Sequence, residues 1–187
     1  MPAIRTFIAI PISTNIQKQI AELQTKLKET RADVKWDSQN KFHITLKFLG
    51  NIEESRLELL PKAISKAVHP FAPFVFEYES LCVFPNFHYP CTVWIGIKSN
   101  QVISDLQSAI ETICLEYGFL KEDRMFRPHI TLGRVHGTRN LVHLTDAIKT
   151  ITFEPIKSLC SEVLLMKSNL LPSGSVYTIL KSFQFNP

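Results

Sequence analysis

Ile16, Ile20, Leu23 and Leu27 recur at helical spacing, with Lys and Gln between them, and predict an amphipathic helix that lays one face on a sheet. Val102, Ile103, Leu106, Ile110 and Ile113 form a second stripe of the same period. Each stripe follows an apolar, β-branched run of strand length: Arg5-Thr6-Phe7-Ile8-Ala9-Ile10 before the first, Cys91-Thr92-Val93-Trp94-Ile95-Gly96 before the second. Ser13 and Ser99 stand just ahead of the helices, where a hydroxyl can cap the first turn. Beyond the helices come His43-Ile44-Thr45-Leu46 and His129-Ile130-Thr131-Leu132. On a strand, their alternation puts His and Thr on one face and Ile and Leu on the other.

These two tetrapeptides lie 86 positions apart, and the same offset aligns the preceding strands, the two serines, and Lys35 and Asp37 with Lys121 and Asp123. A later match, Ser80-Leu81-Cys82 against Ser158-Leu159-Cys160, has an offset of 78, which a shorter loop explains. Helices are predicted over 54–68 and 141–150, followed by strands over about 74–84 and 156–167. A last strand spans 175–185, with only loose alternation to set its register. Pro70, Pro73, Pro85, Pro90, Pro155 and Pro172 fall between these elements, where a fixed φ and a missing donor do least harm. Each half thus reads strand, helix, motif strand, helix, strand. The fold class predicted is α+β: two pseudo-symmetric lobes, each a mainly antiparallel sheet with outer helices, in one bilobal domain over 1–187 with an internal repeat of about 5–84 and 91–167.

If a pseudo-two-fold relates the lobes, their motif strands meet near the axis with polar faces together. His43, Thr45, His129 and Thr131 then surround one central cleft. A single copy would read as a buried strand with a satisfied core histidine; the duplication favours chemistry. Histidine titrates nearest neutral pH, so one imidazole can accept a proton while the other donates one. The threonine hydroxyls suit the non-bridging oxygens of a phosphate. Lys47 follows Thr45 by two residues and Arg127 precedes His129 by two, so both are candidate phosphate contacts on the motif faces. Arg134 has the opposite parity and joins them only if the strand ends or bulges at Gly133. Phe48 has core parity, while Trp36, Phe84, Phe87 and Tyr89 lie in or near predicted loops, with Phe87 and Tyr89 the best candidates to stack on a base.

Composition adds bounds rather than a function. With 187 residues, 45% hydrophobic and 20% charged, the chain can bury a full core. A net charge of +4 suits an anionic substrate but is too small for a nucleic-acid-coating surface. No apolar run approaches the roughly 18 residues of a membrane span, and the N-terminal run is too short for a signal sequence, so the cytoplasm is the expected location. Cys82, Cys91, Cys114 and Cys160 show neither zinc spacing nor a disulfide framework. His69, His88, His136 and His143 have no paired partner and read as loop or surface residues. With no carboxylate or thiolate at ligand spacing in either motif, no metal and no other cofactor is expected.

The stretches Phe42-His43-Ile44-Thr45-Leu46-Lys47-Phe48-Leu49-Gly50 and Arg127-Pro128-His129-Ile130-Thr131-Leu132-Gly133-Arg134 resemble the two H-x-T/S motifs of the 2H phosphoesterases. The Lys-Phe-Leu-Gly and Gly-Arg tails are most similar to the RNA 2′,3′-cyclic phosphodiesterases, once named 2′-5′ RNA ligases. The resemblance covers nearly the whole chain. It implies metal-independent hydrolysis of a 2′,3′-cyclic phosphate on RNA or a small cyclic nucleotide, leaving a 2′-phosphate. It also implies His43 as proton donor, His129 as proton acceptor, and Thr45 and Thr131 as phosphate ligands. Two alternatives remain beside it: a nucleotide-binding or RNA-processing adaptor that uses the cleft without turnover, and ATP-independent joining of 2′-5′ RNA ends. No membrane and no obligate protein partner is indicated.

Overall fold

β1 (Ile4–Pro11) is an inner strand of the first of two antiparallel sheets, and its middle, Thr6 to Ile10, is buried. The computed structural model describes residues 3–172 and 174–186. After β1 come α1 (Thr14–Lys28), β2 (Val34–Trp36), a 3-10 turn (Gln39–Lys41) and β3 (His43–Ile52). Next are α2 (Glu54–Leu57), α3 (Leu60–Val68), β4 (Phe74–Phe84), β5 (Thr92–Ile97) and α4 (Gln101–Glu116). The chain closes with β6 (His129–Val135), α5 (Leu141–Thr150), β7 (Ile156–Cys160), β8 (Glu162–Leu171) and β9 (Gly174–Gln184). The sheet orders are β3-β1-β8-β9 and β2-β6-β5-β4-β7. This is the predicted α+β fold, with the two motif strands in different sheets.

The helices bury the faces their periodicity marks. Ile16, Ile20 and Leu27 of α1 and Ile103, Leu106, Ile110 and Ile113 of α4 are all buried, together with Ile8, Ile10, Val93 and Ile95 from the sheets. Two polar side chains lie inside these apolar stripes, Gln24 and Glu111, at 3% and 8% exposure. Both bear on the site below. Asn100, rather than Ser99, caps α4 by accepting from the Ile103 N–H at 3.1 Å, and Ser13 caps α1 without a side-chain bond. The predicted helix over 54–68 is two pieces, because Pro61 lacks an N–H and starts a fresh helix in α3.

Two departures from the predicted topology matter more. The predicted strand over 156–167 breaks at Ser161 into β7 and β8, which run in different sheets. β4 and β8, the last strands of the two sequence halves, also change places. β4 joins β5 and β7 in the second sheet, while β8 lies against β1 in the first. The lobes are therefore interlocked, and each sheet contains strands from both halves of the chain. No helix among the described residues is long and apolar enough to cross a membrane.

Candidate active site

The first motif starts β3 and the second starts β6. In both strands the apolar positions before and after the histidine-proximal Thr point inward: Ile44, Leu46, Ile130 and Leu132 are buried, while His43, Thr45, His129 and Thr131 are half-buried. Each strand then carries an extra residue. On β3, Lys47 pairs with Ile8 and Thr45 with Ala9, so Leu46 has no partner of its own; on β6, Gly133 pairs with Val93 and Thr131 with Trp94, so Leu132 has none. These are β-bulges at equivalent points of the two motifs, and a bulge reverses the face of every residue after it. They also show that the first strands align one residue away from the ungapped offset, since Ala9 and Trp94 are 85 apart.

The bulges overturn the reading of Lys47 as a phosphate contact. Leu46 and Lys47 both turn inward, and Lys47 is 5% exposed. Its Nζ donates to Glu111 Oε1 at 2.6 Å and to the Leu120 carbonyl at 2.7 Å. Phe48, assigned to the core by parity, instead faces out at 59% exposure, beside Phe7 at 6.1 Å between ring centres. The corresponding bulge on β6 buries Gly133 and exposes Arg134, which is the condition under which Arg134 joins the motif face. Gly133 has no room for a side chain there: a Cβ would lie 2.8 Å from Val34 Cγ1 and 2.9 Å from Trp36 Cε3.

The two imidazoles are held alike. His43 Nδ1 lies 2.6 Å from the Lys41 carbonyl, and His129 Nδ1 lies 2.7 Å from the Arg127 carbonyl, in each case two residues back. A carbonyl only accepts, so each Nδ1 carries the proton and each Nε2 is left as the free ring nitrogen. Burial pushes His43 down to about 4, opposed by the bond to Lys41 and assisted by the charges of His129 and Arg134. Burial also lowers His129, opposed by the bond to Arg127 and assisted by Arg134. The two histidines and Arg134 thus act on one another electrostatically across the lobes. Arg134 Nη1 reaches Asp37 Oδ2 at 3.5 Å.

Aromatic rings flank both histidines. Phe7 and Tyr177 stand 4.9 Å and 5.3 Å from the His43 ring, Tyr177 edge-on. Phe84 and Trp94 stack on each other at 4.3 Å and meet His129 edge-on at 5.3 Å and 5.8 Å. Of the predicted stacking residues, Phe87 sits under Lys149 Nζ of α5 at 5.2 Å, and Tyr89 is exposed in the β4–β5 loop. Arg127 is exposed just ahead of β6. A concavity of about 620 Å³ between α3 and β9, lined by Lys62, Lys66, His69 and Lys181, contains none of the motif residues.

A family model described as LigT like Phosphoesterase matches the chain twice, over residues 10–94 and 95–177. The chain belongs to this phosphoesterase family. A relative named RNA 2′,3′-cyclic phosphodiesterase, from Methanothermobacter thermautotrophicus, is 31% identical over 97% of this chain and 98% of its own. The E. coli LigT structure in apo form matches all of both chains at a TM-score of 0.80 and 20% identity. The same E. coli protein complexed with 3′-AMP matches 99% of both at 0.77 and 21%.

In this LigT-like phosphoesterase, several side chains around the motifs escaped the sequence reading: Phe7, Trp94, Tyr177, Asp37, Gln24 and Glu111. Gln24 and Glu111 carried a signal, since each is a polar residue inside an apolar helical stripe. Tyr177 carried none, because the register of β9 comes only from its pairing with β8.

Proposed function

We propose that the chain hydrolyses 2′,3′-cyclic phosphate ends of RNA or nucleotides to 2′-phosphates without a metal. Water attacks phosphorus and gives its proton to His129 Nε2. The bond from phosphorus to the 3′ oxygen breaks, and that oxygen takes the proton from His43 Nε2. The products are a 2′-phosphate and a 3′-hydroxyl; solvent then returns the histidines to their starting states. Thr45 and Thr131 donate to the non-bridging oxygens, with Arg134 balancing the charge that grows there.

The matched pair of Nδ1–carbonyl bonds carries this reading. Both rings are locked in the same tautomer, with the same nitrogen left for proton transfer. Burial alone favours neutral His43, and the donor role requires the bound phosphate, whose charge beside the desolvated imidazole favours the protonated form. The activity in the name of the Methanothermobacter relative and the 3′-AMP complex of E. coli LigT support a nucleotide at this cleft. The order of the two roles rests on the family. Four free thiols fit a cytoplasmic enzyme.

The test is product identification by chromatography and phosphorus NMR, using a short RNA with a 2′,3′-cyclic end. A 2′-phosphate supports the reading, and a 3′-phosphate reverses the leaving group. Binding without product points to the adaptor, and a longer RNA points to end joining. His43→Ala and His129→Ala should each cost several orders of magnitude in kcat; near wild-type turnover in either removes the pair from the mechanism.

A further inference from the structure

Lys35 pairs in register with Arg134 across β2 and β6, strands that stand about 4.8 Å apart. Its neighbours Val34 and Trp36 turn the other way, onto Gly133, so Lys35 lies on the same face as Arg134. Lys41 ends the 3-10 turn just before His43 and holds that histidine through its own carbonyl. The two ammonium groups converge on one point at the start of β9. A Cβ built on Gly174 would lie 3.5 Å from Lys41 Nζ and 3.8 Å from Lys35 Nζ.

Arg134, Lys41 and Lys35 all act on a single carboxylate, Asp37, which burial nonetheless raises in pKa. Among the described residues neither lysine makes a salt bridge. Three cations about one carboxylate leave an excess of positive charge, and holding like charges together costs free energy that an incoming anion recovers. Tyr177 lies between this cluster and His43. Its ring meets the imidazole edge-on, and its hydroxyl feels Asp37, Arg134 and Arg5.

We infer that Lys35 and Lys41 form a second phosphate subsite beside the histidine pair, which takes the phosphodiester next to the cyclic end of an RNA. This rests on the proposed phosphodiesterase reading and narrows it. A 2′,3′-cyclic phosphate is a 3′ terminus, so every other phosphate of the strand lies on its 5′ side and must leave the cleft by one path. That path runs past Arg134 and Tyr177 to the two lysines. A free cyclic nucleotide has no second phosphate to offer, so the preferred substrate is an oligonucleotide end.

The experiment compares cytidine 2′,3′-cyclic monophosphate with a tetranucleotide ending in the same cyclic nucleotide, across a range of salt. For the wild type, the slope of log kcat/KM against log salt should be steeper for the tetranucleotide by about 0.7 for each added phosphate contact. Lys35→Gln with Lys41→Gln should remove that difference and lower kcat/KM for the tetranucleotide about tenfold more than for the mononucleotide. Arg at both positions should restore it. A tetranucleotide advantage and salt slope unchanged in the double variant would overturn the subsite. If neither substrate is opened, the phosphodiesterase reading fails. The subsite is then judged by fluorescence anisotropy with a 3′-phosphorylated tetranucleotide, where equal affinity of wild type and double variant rules it out.

Discussion

Gln24 of α1 donates an N–H to the carbonyl of Leu132, 3.0 Å away and 108 positions further along the chain. Leu132 is the extra residue of the β6 bulge. The other Gln24 N–H goes to the Asp37 carbonyl at 2.7 Å, and the Asp37 N–H also bonds Leu132, at 2.8 Å. A helix of the first half thus pins the bulge that turns Arg134 outward in the second. The reciprocal arrangement holds on β3, where Glu111 of α4 grips Lys47 at the other bulge. Gln24→Leu fills the same space but takes the side-chain donor from the part-buried Asp37 carbonyl and leaves Leu132 with the Asp37 N–H alone, a cost of about 1–3 kcal/mol. It should also lower kcat/KM, and the added loss should vanish in an Arg134→Ala background. An undiminished loss in that background would disconnect Gln24 from the arginine.

Arg134→Ala should cost about 10²–10³ in kcat, as expected for removing one preorganised donor to a developing charge. Arg134→Lys should recover only part, since a point charge does not reproduce the guanidinium fork. Arg127→Ala, at an exposed position ahead of β6, should cost less than tenfold. Steady-state kinetics on one substrate ranks the three, and a larger loss at Arg127 than at Arg134 would reassign the phosphate contact.

Lys47 separates stability from catalysis. Lys47→Met strands Glu111 in the core and should cost about 3–5 kcal/mol, while Lys47→Met with Glu111→Leu should regain most of it. Urea midpoints measure this. The folded double variant should keep kcat/KM within a few fold of the wild type, because Lys47 is turned away from the cleft. A loss of orders of magnitude would return Lys47 to the site.

The histidines make two pH predictions. His43 has a folded pKa of about 4 against 6.5 ordinarily, so between those values the unfolded chain binds more protons. Stability is therefore whole above 6.5 and is lost as pH falls toward 4, by up to about 3 kcal/mol. His43→Gln should flatten that slope in urea melts taken between pH 7 and 4.5; an unchanged slope would assign it to other groups.

In catalysis, a proton donor is lost as pH rises through its pKa. Bound phosphate raises the pKa of His43, so the alkaline limb of kcat should lie at higher pH than that of kcat/KM. The opposite order would exclude His43 as the donor.

The doubled H-x-T motif, the two helical stripes and the α+β order were legible because each is written in local periodicity. The fates of Lys47, Phe48 and Arg134 were not. Parity assumes an unbroken ladder, and whether Leu46 and Leu132 are skipped depends on the strands beside them, β1 and β5. Nor did Ser161 announce a break: a lone serine between strand-forming residues is too weak a turn signal, and the chain crosses between sheets there because β4 and β1 each take one side of it.

By itself the sequence determined that a histidine and a threonine recur in two equivalent sets, since an identical motif on a period-two strand presents the same two side chains each time. The tertiary structure decided what stands beside them. Two bulges at matching points put Phe48 outward in one half and Arg134 in the other, and they exclude Lys47. The physical reason is that side-chain direction past a bulge is a property of strand pairing, and pairing is settled only when both halves pack together.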